Sequence, residues 1–327
     1  MRRSLGVGFA LVGFVVFLFA GFGVLPAGAG EYPTKSITLI CPFPTGGTID
    51  GNARAIAEAV RKHLPRSVAV VNRPGGAGSI GVTEVMQAKP DGYTIGVSGV
   101  SSMSIAPHLT ELPYKGPEDF AHIIGLTAVP AVLAVNSNAP YKGLREFLDA
   151  SKAAPGKLKV STSAKGTNVH LGGIWLNTVT NAGFVVAPFT GGGETIAALL
   201  GGHVDATLET TATVQPMIQA GKMRAVAVFG PQRVAAIPDV PTAKELNIPV
   251  EFPAYYSLFA PKSTPEAVLT ILRDAFLKAT KEELFLTFMR NSVAEPLPLI
   301  GNAMLDKLKA DYEVYGKLAE QVGLKTK

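Results

Sequence analysis

A single cysteine, Cys41, stands among 327 residues. An intramolecular disulfide is therefore excluded. Cys41 closes an apolar, β-prone stretch, where a small buried hydrophobe is the expected role. Charge is also sparse, at 17% of residues, with a formal net charge of +5. The sequence has no Lys/Arg run and no basic stripe interleaved with aromatics, so nothing supports nucleic-acid binding. The phosphate-loop pattern G-x-x-x-x-G-K-S/T and the G-x-S-x-G nucleophile elbow are both missing. Five histidines (His63, His108, His122, His170 and His203) show no metal-ligand spacing. No metal and no cofactor are expected. The stretch "GAGSIG" (Gly76–Gly81) matches G-x-G-x-x-G by letter. The acidic residue that a dinucleotide ribose needs about 20 positions later is absent, since Ser101 stands there. These glycines are expected to shape a loop at a cleft edge.

The composition is 47% hydrophobic, enough for a sizeable core in one large or two medium domains. The first residues read as a secretory leader, with Arg2 and Arg3, an apolar run from Leu5 to Leu25, and Ala27-x-Ala29 as a small-residue cleavage site. Residues 1–29 are expected to be removed after Ala29, leaving an exported chain with formal charge +3; an uncleaved membrane anchor is the alternative. After the leader, no stretch is apolar enough to span a membrane.

From Glu31 the chain alternates short β-prone runs with helical periodicity. "SITLICPF", "SVAVVNRPG" and "DGYTIGVSG" read as strands, with helices over Asp50–Leu64 and Gly81–Ala88 between them. A second α/β set follows, from about Val132 to Pro249, and then a strand-like "EFPAYYSLFAP" and three helices. In the last of these, Ala303–Val322, the residues Met304, Leu308, Tyr312, Tyr315 and Leu318 form an apolar stripe. Two α/β units joined by two crossing segments predict two lobes with a cleft. The stripe alone leaves open whether the last helices form a third domain or pack back on the first lobe.

Candidate site residues cluster where strands run into helices through glycine. "PFPTGGTID" places Phe43, Thr45, Gly46 and Gly47 before a helix, with Thr48 as candidate N-cap and Asp50 in its first turn. Unpaired amides and partial positive charge at a helix start, reached closely across glycine, suit an anion. The pattern recurs at Gly166, Thr167 and Asn168, and again at Thr190 and Gly191–Gly193. The Ser-rich "SGVSSMS" contributes Ser98 and Ser102. His170 follows in a polar loop, and Asp205 and Glu209 alternate with apolar residues on one strand. Such loops gather at the carboxyl ends of strands in α/β sheets.

These residues, with "KPDGYTIGV", "GKMRAVAVFG" and "IPDVPTAKEL", resemble the Bug (TctC-like) family of periplasmic solute-binding proteins of tripartite tricarboxylate transporters. The resemblance runs from Tyr32 to the C-terminal helix. It implies a two-lobed periplasmic binding protein fold, each lobe a mixed, mostly parallel sheet flanked by helices. It implies a discontinuous first lobe (30–131 and 250–327) and a second lobe over 132–249, with hinges near Ala128–Val135 and Phe252–Phe259. It also implies a non-enzymatic, monomeric protein that captures a small carboxylate: a di- or tricarboxylate, an acidic amino acid or an aromatic acid. The implied partners are the permease subunits of a membrane transporter. The loop Phe43–Gly47 is to hold one carboxylate, the loops at Gly166–His170 and Phe189–Gly193 are to close from the other lobe, and Asp205 matches a recurrent family Asp. Thr45, Thr190 and Lys165 depart from the common family pattern, and Lys165 is a candidate to restore charge at the far end of the ligand. A sensor role beside a membrane kinase, and an exported hydrolase using a Ser from Ser98–Ser104 with His170 or His108, are the competing readings.

Overall fold

The computed structural model describes residues 32–321, 323 and 324. The expected leader and its cleavage site lie outside these residues, as does Val322 at the end of the last predicted helix. Among the described residues no helix is long and apolar enough to cross a membrane.

The chain opens with β1 (Ile37–Cys41), α1 (Thr48–Ala59), β2 (Val68–Asn72), α2 (Ser79–Gln87) and β3 (Thr94–Gly99). The strands are rich in β-branched residues, and β1 pairs in parallel with both β2 and β3. A π-helical turn over Ser101–Ile105 leads into the short α3 (Ala106–Leu109). The long β4 (Phe120–Val129) then runs to Pro130 and continues directly as β5 (Ala131–Asn136) in a second sheet.

That second sheet is built from α4 (Leu144–Ala153), β6 (Lys159–Thr162), α5 (Asn168–Thr180), β7 (Val185–Pro188), α6 (Gly192–Leu200), β8 (Ala206–Thr210), α7 (Thr211–Gln219) and β9 (Met223–Val228). Its strand order is β7-β6-β8-β5-β9. The chain returns through β10 (Ala254–Pro261), α8 (Glu266–Ala279), α9 (Glu283–Asn291), β11 (Glu295–Pro296) and α10 (Asn302–Gln321). The first sheet has the order β11-β4-β10-β3-β1-β2, so its strands come from both ends of the chain.

Both sheets are mixed, with a larger antiparallel share than the family resemblance implies. Parallel pairing is confined to β1–β3 and to β6, β7 and β8, where helices connect neighbouring strands. The crossing strands enter from the other sheet: β10 lies antiparallel to β3 and β4, and β5 antiparallel to β8 and β9.

The two crossing segments are tied to each other. The Phe229 amide donates to the Ala131 carbonyl at 2.7 Å, and the Phe252 amide to the Phe229 carbonyl at 3.2 Å. The rings of Phe229 and Phe252 stack at 4.7 Å, and both are fully buried. Gly172 of α5 faces this stack so closely that a Cβ would stand 2.4 Å from the Phe252 ring. Gly172→Ala is therefore expected to destabilise. The helix-propensity gain of about 1 kcal/mol is outweighed by overpacking and displacement of the stack, for a net loss of about 1 to 2 kcal/mol in denaturant titrations. A variant as stable as the parent would show that the stack yields freely.

The helix α10 packs its apolar stripe against the segment that carries the first sheet. Met304, Leu308, Tyr315 and Leu318 are buried, and Tyr312 is half-buried. The Ser104 hydroxyl donates to the Leu308 carbonyl at 2.9 Å, and Lys309 pairs with Glu118.

Candidate ligand-binding cleft

The start of α1 is built as the glycines suggest, with one change. Thr48 is the first helical residue rather than the N-cap. Gly47 holds the cap position in extended backbone (φ −81°, ψ 171°), with no side-chain cap. The first turn is closed from within by Asp50, whose carboxylate accepts from the Gly46 amide at 2.9 Å, Arg54 Nε at 2.9 Å and Asn72 Nδ2 at 2.8 Å. Asn72 also donates to the Phe43 carbonyl at 2.9 Å. Burial opposes the charge on Asp50, but the hydrogen bonds from Arg54, Gly46 and Asn72 outweigh it and hold the carboxyl below its ordinary range. Gly46 adopts φ +87°, a conformation that favours glycine. The first helical bond runs from the Gly51 amide to the Gly47 carbonyl, so the amides before Gly51 precede the helix ladder.

This loop faces α6 across a cleft of about 650 Å³. Phe43, Thr45, Gly46, Gly47 and Thr48 line one side, and Ser163, Thr167, Thr190, Gly191–Gly193, Glu209 and Thr213 line the other. Gly191 is the extended N-cap of α6, and the Thr195 amide donates to its carbonyl. Two helix N-termini thus point into one cavity from opposite sheets. Among the described residues, no Lys, Arg or His lines it.

The remaining expected site residues surround this cavity or stand away from it. Ser102 and Asn168 line a small adjoining pocket with Phe43 and Tyr256. Ser98 is fully buried and pairs with Ser102 at 2.6 Å. Asn168 ties the lobes together: its Nδ2 donates to the Phe252 carbonyl at 2.9 Å and its amide reaches Ser101 Oγ at 3.4 Å. Thr167 caps α5 by accepting from the His170 amide. The buried His170 ring accepts from the Gly166 amide at 3.3 Å, so Gly166 and His170 hold the loop rather than line the cavity. Burial, with Lys165 nearby, pushes the His170 imidazole below its ordinary range and keeps it neutral.

Two expectations are corrected in place. Asp205 sits at the opposite end of β8, where its carboxylate accepts from the Lys159 amide at 2.8 Å and caps the entry to β6. Four strand positions, about 13 Å, separate it from the cleft end of β8. Lys165 lines a different cavity of about 300 Å³, with Gly76, Ser79, Leu109 and Leu112, and brings no charge into the cleft.

Glu209 is the residue whose place in the cleft the sequence did not show. It is 2% exposed, accepts from Thr195 Oγ1 at 3.2 Å and Ser163 Oγ at 3.3 Å, and lines the cleft. Burial pushes its carboxyl up to about 7, against the pull of those hydroxyls. The alternation of Asp205 and Glu209 gave the shared face but not the end that opens on the cleft. Of the "GAGSIG" glycines, which do not line the cleft, Gly78 at φ +94° leaves the room in which the Phe43 ring sits. Cys41 is buried beneath the loop, as a small hydrophobe.

A pair of helix N-termini facing one cleft between two mixed α/β sheets is the arrangement of a two-lobed protein. Comparison with known proteins places it further. Residues 52–323 match the model of the tripartite tricarboxylate transporter family receptor (TctC), and the chain belongs to that family. It is 33% identical over 264 residues to the protein BugT of Bordetella pertussis, covering 79% of this chain and 80% of that one. Among solved structures, the periplasmic binding protein BugD is 29% identical, with a TM-score of 0.79 over 90% of this chain and all of that one. MatC from Rhodopseudomonas palustris with bound malate is 27% identical, with a TM-score of 0.77 over 88% of this chain and 99% of the other. R. palustris Rpa4515 with adipate is 26% identical, with a TM-score of 0.80 over 90% and 99%. The family and these neighbours are binding proteins, not enzymes.

Proposed function

We propose that this protein captures a small carboxylate between its two lobes in the periplasm, as a monomer, and delivers it to the permease subunits of a tripartite tricarboxylate transporter. The observation that carries this reading is the cleft itself. The starts of α1 and α6 face one cavity, and the amides at both supply donors where no lysine, arginine or histidine does. The malate and adipate held by the two R. palustris relatives support a carboxylate as the ligand class. Backbone donors in a desolvating cleft bind a carboxylate by charge-assisted hydrogen bonds that strengthen as water leaves.

The lobes divide at 131/132 and 249/250 in this reading, and Pro130 and the Phe252–Ala254 segment act as the hinges. The loop Phe43–Gly47 takes one carboxylate, and Thr190, Gly191 and Thr167 close over the other end. Ser102 and Asn168 set the floor beside Tyr256. The test is a thermal-shift screen with malate, adipate, citrate, glutamate and benzoate. A true ligand at 100 times its Kd is expected to add about 2.7 kcal/mol of stability, which raises Tm by a few degrees in a chain of this size. A screen in which none of them raises Tm would sink the carboxylate reading.

A further inference from the structure

We propose that Glu209 is a ligand-contacting residue that acts as a protonated acid, so that above neutral pH the cleft takes up one proton with each carboxylate it captures. This inference rests on the carboxylate reading above and assigns it a residue and a stoichiometry.

The cleft offers hydroxyls, backbone amides and apolar carbons, and among the described residues Glu209 is the one ionisable group that lines it. A carboxylate ligand entering from the α1 side meets this carboxyl across the cavity. Two carboxylates sharing one desolvated site do not both stay ionised unless a cation lies between them. No cation of the lining can take that place.

The surroundings of Glu209 fit the neutral form. From α6, Thr195 Oγ1 meets one carboxyl oxygen, and from the loop after β6, Ser163 Oγ meets the other. Both are hydroxyls, able to donate or accept, and so suit an acid as well as a carboxylate; the backbone amides of Ser163 and Thr210 only donate and favour the ionised form, but burial outweighs them. Val132 of β5 stands beside it in the sheet. From β10 the facing titratable group is Tyr256, whose phenol burial and the neighbouring Glu209 charge hold above its ordinary range, so it stays neutral. Glu194, in the first turn of α6, is exposed and turned to the Thr190 amide. Burial, against the pull of those hydrogen bonds, already brings the Glu209 carboxyl up to about 7. A second negative charge in the cleft raises it further and favours the acid, whose single O–H is then free to donate to the ligand in place of a neighbouring hydroxyl.

The sign follows. Binding is strongest where Glu209 is protonated in the free protein and weakens as pH rises through about 7, by about tenfold per unit at higher pH. Free carboxylic acids of the ordinary kind are ionised throughout that range and contribute no slope of their own.

The experiment titrates malate, adipate, glutamate and benzoate into the full exported chain by calorimetry at pH 7, 8 and 9, in two buffers of different ionisation heat. For the tightest of them, the expected result is an affinity falling about tenfold from pH 8 to pH 9, with about one proton taken up per ligand at pH 8. Glu209→Gln keeps a donor on the same stem without the titration. Its affinity is expected to be flat from pH 7 to 9, its proton uptake absent and its melting curve cooperative. A flat profile in the parent, an affinity that rises with pH because an ionised Glu209 faces a ligand ammonium, or an unchanged slope in Glu209→Gln would overturn the proposal and leave carboxylate capture standing. If none of the four binds, the carboxylate reading fails, and the protonated Glu209 falls with it.

Discussion

Gly47→Val is expected to fold as the parent does and to bind the carboxylate proposed for the cleft about 100-fold more weakly. The two halves of that expectation come from different observations. Gly47 has φ −81° and ψ 171°, which valine adopts without strain. A Cβ at this position meets nothing nearer than the Pro44 carbonyl at 3.9 Å, so the fold has room for it. The room is the cleft, however. A branched side chain there covers the amides at the start of α1, and a carboxylate held back from them loses charge-assisted hydrogen bonds. Two such bonds at about 1.5 kcal/mol each account for the factor. Gly46 is a poor site for the same experiment. Its φ of +87° makes any side chain strained, and a lost fold would be mistaken for a lost contact. Calorimetry on Gly47→Val beside its melting curve checks both halves. Parental affinity in the folded variant removes the loop from the site.

The contrast between Gly47 and Asp205 shows what the sequence made legible. A strand, a glycine and a helix start are local features, and each of the three glycine loops lies where the pattern puts it. Facing across a cavity is not local. The alternation of Asp205 and Glu209 put both on one face of β8, but only the pairing of β8 with β6 and β5 decides which end opens on the cleft. Glu209 takes that end, and Asp205 caps the far one. Gly166 and His170 were legible as a polar loop. That the Gly166 amide turns inward to the His170 ring depends on packing at the head of α5. The stripe on α10 was legible too, but its landing place was set by partners some 200 residues away, Ser104 for Leu308 and Glu118 for Lys309. The larger antiparallel share of the sheets has the same origin. Helical connections dictate parallel pairs locally, whereas β10 and β5 arrive from the other sheet, and their direction follows from the crossing.

Asp50→Ala is expected to lose stability and binding together, and so separates the scaffold of the loop from its contact surface. The Asp50 carboxylate is 3% exposed and holds three donors: the Gly46 amide, Asn72 Nδ2 and Arg54 Nε. Removing it leaves the first two without their acceptor in a part-buried site, at about 1 to 3 kcal/mol each. Arg54 is 51% exposed on its side chain and retreats to water, so its share is small. A net loss of about 3 kcal/mol follows. Asn72 also carries the Phe43 carbonyl, so its loosening frees the loop at both ends, and affinity is expected to fall by at least tenfold although no ligand contact has been removed. The sign with pH is fixed by the lowered carboxyl. The stabilisation Asp50 provides is present above the ordinary aspartate range, near pH 4, and is lost as pH falls through its folded value. The stability gap between Asp50→Ala and the parent is therefore constant from pH 6 to 8 and closes in acid. Urea titrations at pH 7 and below pH 4 measure it. A gap that persists unchanged in acid would mean that the side chain acts by packing rather than by its charge, and Asp50 would no longer explain how the loop is held.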